Sequence, residues 1–436
     1  MLLLDLRRNS RGVEESCRIR GVMAKNNFLT GTIPSSIFNL SSLSNLDLSY
    51  NNLKGIIPSQ LGNPSSLQKL FLNYNQLSGE LPANICNNLP FLEILLLDEN
   101  NFGRRIPSTL SRCKHLQTLS LSVNGFSGAI PKEIGNLTKL KSLYLSQNSL
   151  QGEILEELGN LAELEELWLQ NNFLTGTIPS SIFNLSSLSN LDLSYNNLKG
   201  IISSQLGNPS SLQKLFLSYN QLSGELPANI CNNLPFLEIL LLDENNFGRR
   251  IPSTLSRCKH LQTLSLSVNG FSGAIPKEIG NLTKLKSLYL SQNSLQGEIL
   301  EELGNLAELE ELWLQNNFLT GTIPSSIFNL SSLSNLDLSY NNLKGIISSQ
   351  LGNPSSLQKL FLSYNQLSGE LPANICKNLP FLEILLLDEN NFGSKIPSTL
   401  SRCKHLQTLA LSVNGFSGAI PKEICNLTKL KSLYLG

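Results

Sequence analysis

One short pattern returns through almost the whole chain and restricts the possible folds more than any other feature. Leucines stand at fixed places before an asparagine, as in LSSLSNLDLSYN, which ends at Asn51. The asparagine recurs from Asn27 to Asn414 in steps of 24 residues, with an occasional step of 25, so the pattern occurs seventeen times before an eighteenth copy stops at Gly436. Self-similarity at a period of about 20–50 residues indicates a stack of small structural units instead of ordinary globular domains.

Each copy predicts one short strand. In NLDL, which begins at Asn45, leucines alternate with polar residues, so one face of the strand is buried and the other exposed. A single strand cannot bury its leucines, whereas stacked coils cover one another and pair their strands in parallel, about 4.8 Å apart. The asparagine follows the strand, where its amide can donate and accept hydrogen bonds along the stack. We therefore predict an α/β fold: a right-handed solenoid with a parallel β-sheet on the concave face and short 3-10 or extended segments on the convex face.

A longer repeat is superimposed on the short one. Residues 38–182, 183–327 and 328–436 are three blocks of nearly identical sequence, and the first two blocks differ at two positions only. Coils within a block differ freely, so folding does not require this identity; recent duplication is the simplest account, and an artefact of sequence assembly is the other. We assign residues 25–436 to one solenoid of about 17 repeats plus a partial one, and residues 1–24 to an irregular or degenerate N-terminal segment.

Charge and hydropathy exclude several classes of protein. Lys plus Arg equals Asp plus Glu, 33 of each, so no overall field attracts nucleic acid or an anionic membrane. No apolar run approaches the roughly 18 residues that a membrane span needs. The opening MLLLDLRR is apolar over fewer residues than the about 7–15 of a secretory core. The sequence as it stands therefore predicts neither a signal peptide nor a transmembrane helix.

The eight cysteines form two sets of three copies and two single residues: Cys86, Cys231 and Cys376; Cys113, Cys258 and Cys403; Cys17 and Cys425. Cys113 stands where other coils have a buried leucine, as Leu137 does. A cysteine in such a place behaves as a small core residue. We therefore predict structural free thiols rather than disulfide bridges.

Catalytic and metal-binding patterns do not emerge from the sequence. His115, His260 and His405 are block copies separated by six coils, roughly 29 Å at the strand spacing, so they cannot share a metal. Asp98 and Glu99 are adjacent carboxylates at a strand end without a facing partner of the kind that acid–base catalysis needs. We predict a protein that is not an enzyme and that uses no metal or cofactor.

The sequence resembles a known family in stretches such as LTGTIPSSIFNLSSL, LSGELPANICNNLPFLEILLLDENNF and IPSTLSRCKHLQTLSLSVNGFSGAIPKEIGNLTKLKSLYL. These resemble plant leucine-rich-repeat receptor-like serine/threonine kinases, and most closely the immune-receptor branch that includes the flagellin and elongation-factor receptors. The Gly-x-Ile-Pro element is typical of the plant type, and the resemblance extends from Lys25 to Gly436.

That resemblance implies a plasma-membrane glycoprotein whose extracellular part perceives a peptide or protein in plant defence or peptide signalling, with a possible co-receptor kinase. The sequence departs from the family at both ends. Residues 1–24 lack the paired-cysteine cap, and no cap, transmembrane span or kinase follows Gly436. Membrane attachment is therefore expected only through a C-terminal span that this sequence lacks. Two other functions remain open: a soluble apoplastic inhibitor of cell-wall-degrading enzymes, similar to polygalacturonase inhibitors, and a non-functional receptor fragment.

Candidate binding residues lie where the strands expose side chains on the concave face. Neighbouring aromatics such as Tyr144 and Trp168 give a peptide a large contact area with a polar edge. Glu166 and Gln170 beside them can fix a ligand's backbone or a basic side chain. The same aromatics also simply favour strands. The predicted ligand-binding residues are Phe71, Tyr144, Glu166, Trp168, Gln170, Phe216, Tyr289, Glu311, Trp313, Gln315 and Phe361.

Glycosylation sequons of the form Asn-Leu-Ser or Asn-Leu-Thr precede some strands, away from the predicted concave surface. They are Asn39, Asn136, Asn184, Asn281, Asn329 and Asn426. Because Asn-Leu is part of the repeat itself, duplication alone can account for them. We predict that they carry glycans if the chain is secreted.

Overall fold

A computed structural model of the protein describes residues 19–59, 66–204, 211–349 and 356–436. Over these residues the chain winds into a solenoid with one strand of a long parallel sheet in every coil. The eighteen strands of this sheet are Gly21–Met23, Asn45–Asp47, Lys69–Phe71, Ile94–Leu96, Thr118–Ser120, Ser142–Tyr144, Glu166–Trp168, Asn190–Asp192, Lys214–Phe216, Ile239–Leu241, Thr263–Ser265, Ser287–Tyr289, Glu311–Trp313, Asn335–Asp337, Lys359–Phe361, Ile384–Leu386, Thr408–Ala410 and Ser432–Tyr434.

The register of this sheet places equivalent residues of successive coils side by side. Leu46 pairs with Leu70, which pairs with Leu95, and all three side chains are fully buried. The predicted α/β solenoid is confirmed. Its first strand, Gly21–Met23, pairs in parallel with the second and lies inside the segment 1–24 that the sequence left outside the solenoid. Residues 1–18 of that segment lie outside the described residues.

A second rank of short strands follows the repeat asparagines and forms three smaller sheets. The first contains Thr30–Gly31, Asn52–Gly55, Gln76–Gly79, Asn101–Arg104, Gly125–Gly128, Ser149–Glu153 and Phe173–Thr175. The second contains Lys199–Gly200, Gln221–Gly224, Asn246–Arg249, Gly270–Gly273, Ser294–Glu298 and Phe318–Thr320. The third contains Lys344–Gly345, Gln366–Glu370 and Asn391–Gly393.

Short helices close most of the coils. Proline precedes most of the 3-10 helices, where its fixed φ suits the helix start and its missing N–H leaves no donor unpaired. The 3-10 helices are Ser35–Asn39, Ser108–Arg112, Lys132–Asn136, Glu156–Asn160, Ser180–Asn184, Ser253–Arg257, Lys277–Asn281, Glu301–Asn305, Ser325–Asn329, Ser398–Arg402 and Lys422–Asn426. One four-residue α-helix occurs in each block: Ile85–Asn88, Ile230–Asn233 and Ile375–Asn378.

The repeat asparagines join the coils as the sequence predicted. Nδ2 of Asn172 donates to the carbonyl oxygen of Leu145 in the preceding coil and to that of Leu169 in its own coil, both at 3.0 Å. Its Oδ1 accepts the backbone N–H of Leu150, also at 3.0 Å. These bonds satisfy backbone groups that the buried stack would otherwise leave unpaired. The asparagine ladder therefore fixes each coil against the one before it.

The cysteines correct one prediction. Cys86 forms a disulfide with Cys113, and the pairs Cys231–Cys258 and Cys376–Cys403 repeat this bridge in the other blocks. Cys86 lies in the helix Ile85–Asn88, and Cys113 directly follows the 3-10 helix Ser108–Arg112 of the next coil. Their separation of 27 residues is one coil plus about one helical turn, which brings them side by side. The prediction of free thiols was therefore wrong for these six residues, because it compared copies between blocks instead of neighbours within one.

The last two cysteines differ from those six. Cys425 is a free, exposed thiol. Cys17 lies outside the described residues.

Candidate ligand-binding face

The parallel register aligns the residue between the two strand leucines of every coil into one continuous line, which we call the central row. Each member faces its neighbour in the sheet, as Tyr144 faces Trp168 and Trp168 faces Asp192. From the second coil onward the row is Asp47, Phe71, Leu96, Ser120, Tyr144, Trp168, Asp192, Phe216, Leu241, Ser265, Tyr289, Trp313, Asp337, Phe361, Leu386, Ala410 and Tyr434.

The predicted pair Tyr144 and Trp168 forms one aromatic cluster. Their ring centroids are 5.3 Å apart with the rings nearly perpendicular, a favourable edge-to-face arrangement. Trp168 is 39% exposed, whereas Tyr144 is half-buried. The phenol of Tyr144 donates a hydrogen bond to Oε2 of Glu166. Burial, followed by this hydrogen bond, raises the pKa of Tyr144 to about 12.

The second block reproduces this cluster. The rings of Tyr289 and Trp313 are 5.0 Å apart, and Tyr289 donates to Oε2 of Glu311 at 2.5 Å. Oε1 of Glu311 accepts Nδ2 of Asn335 from the following coil at 3.1 Å. Each glutamate is therefore held between two coils, and each tryptophan offers its exposed ring beside a fixed carboxylate.

The other predicted site residues lie on the same face but not all in the clusters. Gln170 and Gln315 follow the tryptophans, one residue beyond the buried leucine, and their Oε1 atoms are buried without a hydrogen-bond donor among the described residues. Phe216 is half-buried in the central row, and Asp192 lies between it and Trp168. Phe71 and Phe361 occupy the equivalent half-buried places in their blocks.

Sequence reasoning missed six tyrosines at the edge of this face, which we call the edge tyrosines. They stack in pairs at 4.2 Å between ring centroids, with the rings 10° from parallel: Tyr50–Tyr74, Tyr195–Tyr219 and Tyr340–Tyr364. All six are more than 40% exposed and have positive φ, an uncommon conformation for such a bulky residue. The available signal was the recurrence of tyrosine immediately before two successive repeat asparagines.

A groove in the second block brings predicted and missed residues together. It has a volume of about 280 Å³ and lies between Tyr219 on one side and Trp313 on the other. Asp243 and Glu244 line it, together with Tyr289 and several serines. Asp243 is fixed by the hydroxyl of Ser218, which donates to its Oδ1 at 2.7 Å. The groove thus combines aromatic faces with two carboxylates, one of them held in place, and such a surface is suited to binding.

The six sequons occupy one structural position outside this face. Each asparagine is the last residue of a 3-10 helix, and each is exposed. A glycan attached at this position would start away from the central row. Their use as glycosylation sites stays a prediction.

Comparison with known proteins places the solenoid in a family. A model described as a leucine-rich repeat region matches residues 36–223 and 177–388, and a second Leucine Rich Repeat model matches residues 405–427. The chain belongs to the leucine-rich-repeat family. No curated protein sequence matches it. No helix in the described part of this leucine-rich-repeat chain is long and apolar enough to cross a membrane.

Solved structures show that it is a leucine-rich-repeat solenoid of the plant receptor ectodomain type. The plant peptide hormone receptor RGFR1, solved in complex with RGF2, is 36% identical with a TM-score of 0.90, over 94% of this chain and 65% of that one. PEPR1–AtPEP1 is 33% identical with a TM-score of 0.80, over 95% and 65%. The Arabidopsis receptor kinase HAESA, solved with the peptide hormone IDA and the co-receptor SERK1, is 32% identical with a TM-score of 0.71, over 97% and 79%. The chain thus spans about two thirds of the length of the first two structures.

Proposed function

We propose that this chain is a non-catalytic recognition solenoid, part of the extracellular portion of a plant leucine-rich-repeat receptor, which binds a peptide or protein ligand along its concave face. The observation that carries the proposal is the pair of identical clusters in which an exposed tryptophan lies beside a tyrosine that is hydrogen-bonded to glutamate. Exposed aromatic side chains on a rigid support are common anchors of protein interfaces.

The sheet beneath these clusters supplies the rigid support. The leucines that flank Trp168 and Trp313 are fully buried, and the asparagine ladder ties their coils to the preceding ones. A ligand that contacts the tryptophans therefore does not have to order the sheet on binding, which lowers the entropic cost of association.

Three disulfides support an extracellular location, because such bridges persist mainly in oxidising compartments. The exposed sequons are consistent with the same location. We infer that the protein acts at the outer side of the plasma membrane, attached through a segment beyond this sequence, and that its sequons carry glycans.

The matched structures favour a peptide receptor over an inhibitor of cell-wall-degrading enzymes. RGFR1 and HAESA are both described in complex with peptide ligands, and the HAESA structure also contains a co-receptor. We infer that this chain binds a peptide in the same general manner and that a co-receptor kinase is a possible further partner. Membership of the flagellin and elongation-factor branch stays a prediction.

Selection of ligands from a displayed library of random peptides tests the proposal. We expect peptides that bind the purified protein and that lose at least about tenfold in affinity when Trp168→Ala and Trp313→Ala are combined. A matched control combines Phe91→Ala with Phe236→Ala, because these exposed aromatics lie outside the sheet and should leave affinity unchanged. Unaltered circular dichroism shows that each variant is folded. A library that yields no binder, or binders that ignore both tryptophan substitutions, would overturn the proposal.

A further inference from the structure

The concave side of the solenoid is acidic although the chain as a whole is neutral. In every coil after the first, five positions lie on or beside the strand: the two before its first leucine, the one between its two leucines and the two after its second leucine. Sixteen acidic residues occupy them: Asp47, Glu93, Asp98, Glu99, Glu165, Glu166, Asp192, Glu238, Asp243, Glu244, Glu310, Glu311, Asp337, Glu383, Asp388 and Glu389. Six lysines oppose them: Lys69, Lys141, Lys214, Lys286, Lys359 and Lys431. Because the whole chain has 33 residues of each sign, the rest of the sequence carries the compensating basic excess.

This acidity coincides with acceptor atoms that lack donors. Oε1 of Gln315 and Oδ1 of Asn335 are buried without a hydrogen-bond partner within the described ranges, and Gln170 and Asn190 repeat this in the first cluster. Carbonyl-type oxygens carry partial negative charge, so they add to the potential of the neighbouring carboxylates. The face therefore offers acceptor oxygens as well as carboxylates to a ligand that carries N–H donors.

The second-block groove concentrates these features. Asp243 and Glu244 lie one coil from the stacked ring of Tyr219, and the exposed ring of Trp313 lies three coils further along the groove. A guanidinium or ammonium group in such a groove can contact carboxylates and an aromatic face at once, and both contacts favour a cation. A negatively charged side chain would meet repulsion from both carboxylates.

We propose that this groove and its first-block counterpart are two copies of one subsite for an arginine or lysine side chain of a basic peptide. The first-block subsite contains these residue types at the equivalent positions, Tyr74, Asp98, Glu99, Tyr144, Trp168 and Gln170, whereas Asn73 replaces Ser218, the residue that donates to Asp243. This inference rests on the proposed function and adds to it the chemistry of the ligand and the number of places at which the ligand is held.

The spacing of the two subsites sets the length of a ligand that reaches both. Six coils separate them, which is roughly 29 Å at the spacing of parallel strands. A polyproline II segment rises about 3.1 Å per residue, so nine prolines cover this distance and three prolines do not. Basic residues at the two ends of such a segment can occupy both subsites. A peptide already bound at one subsite then meets the other at a high effective concentration, so it binds more tightly.

Intrinsic fluorescence reports on both subsites, because Trp168 and Trp313, one in each subsite, are the chain's two tryptophans. The probes are terminally blocked peptides with two arginines at each end of either nine or three prolines, and the matching glutamate peptides. We expect a saturable change in tryptophan fluorescence with the arginine peptides, weaker at higher salt, and none with the glutamate peptides. The nine-proline arginine peptide should bind at least about tenfold more tightly than the three-proline one.

A single-reporter variant localises the contact. In Trp168→Phe, where only Trp313 reports, adding Asp243→Asn and Glu244→Gln should weaken the three-proline arginine peptide at least about fivefold. The control replaces Glu301→Gln and Glu302→Gln in the helix Glu301–Asn305, which removes the same charge outside the face and should leave binding within twofold.

Three results would overturn the inference: glutamate peptides that bind as well as arginine peptides, no effect of the groove substitutions, or equal affinity for the two proline lengths. The proposed function fails separately. Library selection that returns acidic or uncharged peptides dependent on the tryptophans would keep the recognition role and reject this ligand chemistry, whereas selection that returns no peptide rejects both.

Discussion

The phenol of Tyr289 donates a 2.5 Å hydrogen bond to Oε2 of Glu311, across one step of the parallel sheet. Tyr144 and Glu166 make the same contact in the first block. The pKa of both phenols is raised to about 12, mainly by burial and secondly by the hydrogen bond to glutamate. The cluster therefore contains an ionisable group that stays protonated well beyond the range of an exposed tyrosine.

Ultraviolet titration at alkaline pH measures this effect. Tyr144 and Tyr289 should be the last of the nine tyrosines to ionise, near pH 12, and Glu311→Gln should lower the pKa of Tyr289 while leaving that of Tyr144 as an internal reference. Because the folded-state pKa lies above the unfolded value of about 10, the stability from these phenols is complete below pH 10. It is lost as the pH rises towards 12. If Tyr144 and Tyr289 ionise together with the exposed tyrosines of the folded protein, their hydrogen bonds to Glu166 and Glu311 are absent.

Removal of a repeat asparagine from the middle of the stack should be strongly destabilising. Asn172→Ala leaves the N–H of Leu150 without an acceptor in a buried layer and removes one of the two side-chain donors to the carbonyl of Leu145, so we expect a loss of about 2–4 kcal/mol in the free energy of unfolding. Urea denaturation followed by circular dichroism checks this. The matched control is Asn27→Ala, since Asn27 is exposed and its amide donates to the carbonyls of Ala24 and Lys25 within its own coil. Equal losses for the two variants would show that the bonds between coils contribute little.

Most of the fold follows from the sequence because one requirement is repeated in every coil. A leucine such as Leu46 has to be covered by its counterparts in the coils on either side, so a fixed period dictates both the stack and the parallel register. The same period places Tyr144 beside Trp168. Neighbours along the central row are therefore predictable without coordinates.

Features that depend on side-chain geometry within a coil do not follow from the period. The bridge between Cys86 and Cys113 requires the helix Ile85–Asn88 to lie beside the end of the 3-10 helix Ser108–Arg112, and the leucine pattern does not specify this contact. Tyr195 and Tyr219 lie three residues beyond the ends of their strands, and both have positive φ in the turn where they stack; alternation along a strand does not predict that turn. The groove containing Asp243 depends on this turn as well.

The disulfides predict a specific chemical pattern in the purified protein. Alkylation without reduction, followed by peptide mass mapping, should label Cys425 and leave Cys86 joined to Cys113, with the two copies of this bridge equally intact. The variant Cys86→Ala with Cys113→Ala should lose about 3–4 kcal/mol in the free energy of unfolding, because the bridge closes a loop of 27 residues. Alkylation of all of these cysteines in the folded, oxidised protein would contradict the bridge.

Gly79 tests how strictly the turn after each strand depends on glycine. Its φ is +85°, and an added Cβ would lie 2.7 Å from Cγ2 of Ile56 in the preceding coil. Gly79→Ala therefore combines backbone strain with a collision, and we expect a loss above the about 1–2 kcal/mol that a left-handed conformation alone costs. Gly152 has the same conformation, but its nearest heavy atom would be 3.5 Å away, so Gly152→Ala should show the backbone cost alone.

Gly103→Ala is the reference, because Gly103 lacks a positive φ and an added Cβ would have 3.7 Å of clearance; its stability should change by less than about 0.5 kcal/mol. Thermal unfolding of the three variants should rank Gly79→Ala below Gly152→Ala and Gly152→Ala below Gly103→Ala. If Gly103→Ala and Gly152→Ala are equally stable, the turn tolerates a side chain, and contact between coils is what requires glycine at residue 79.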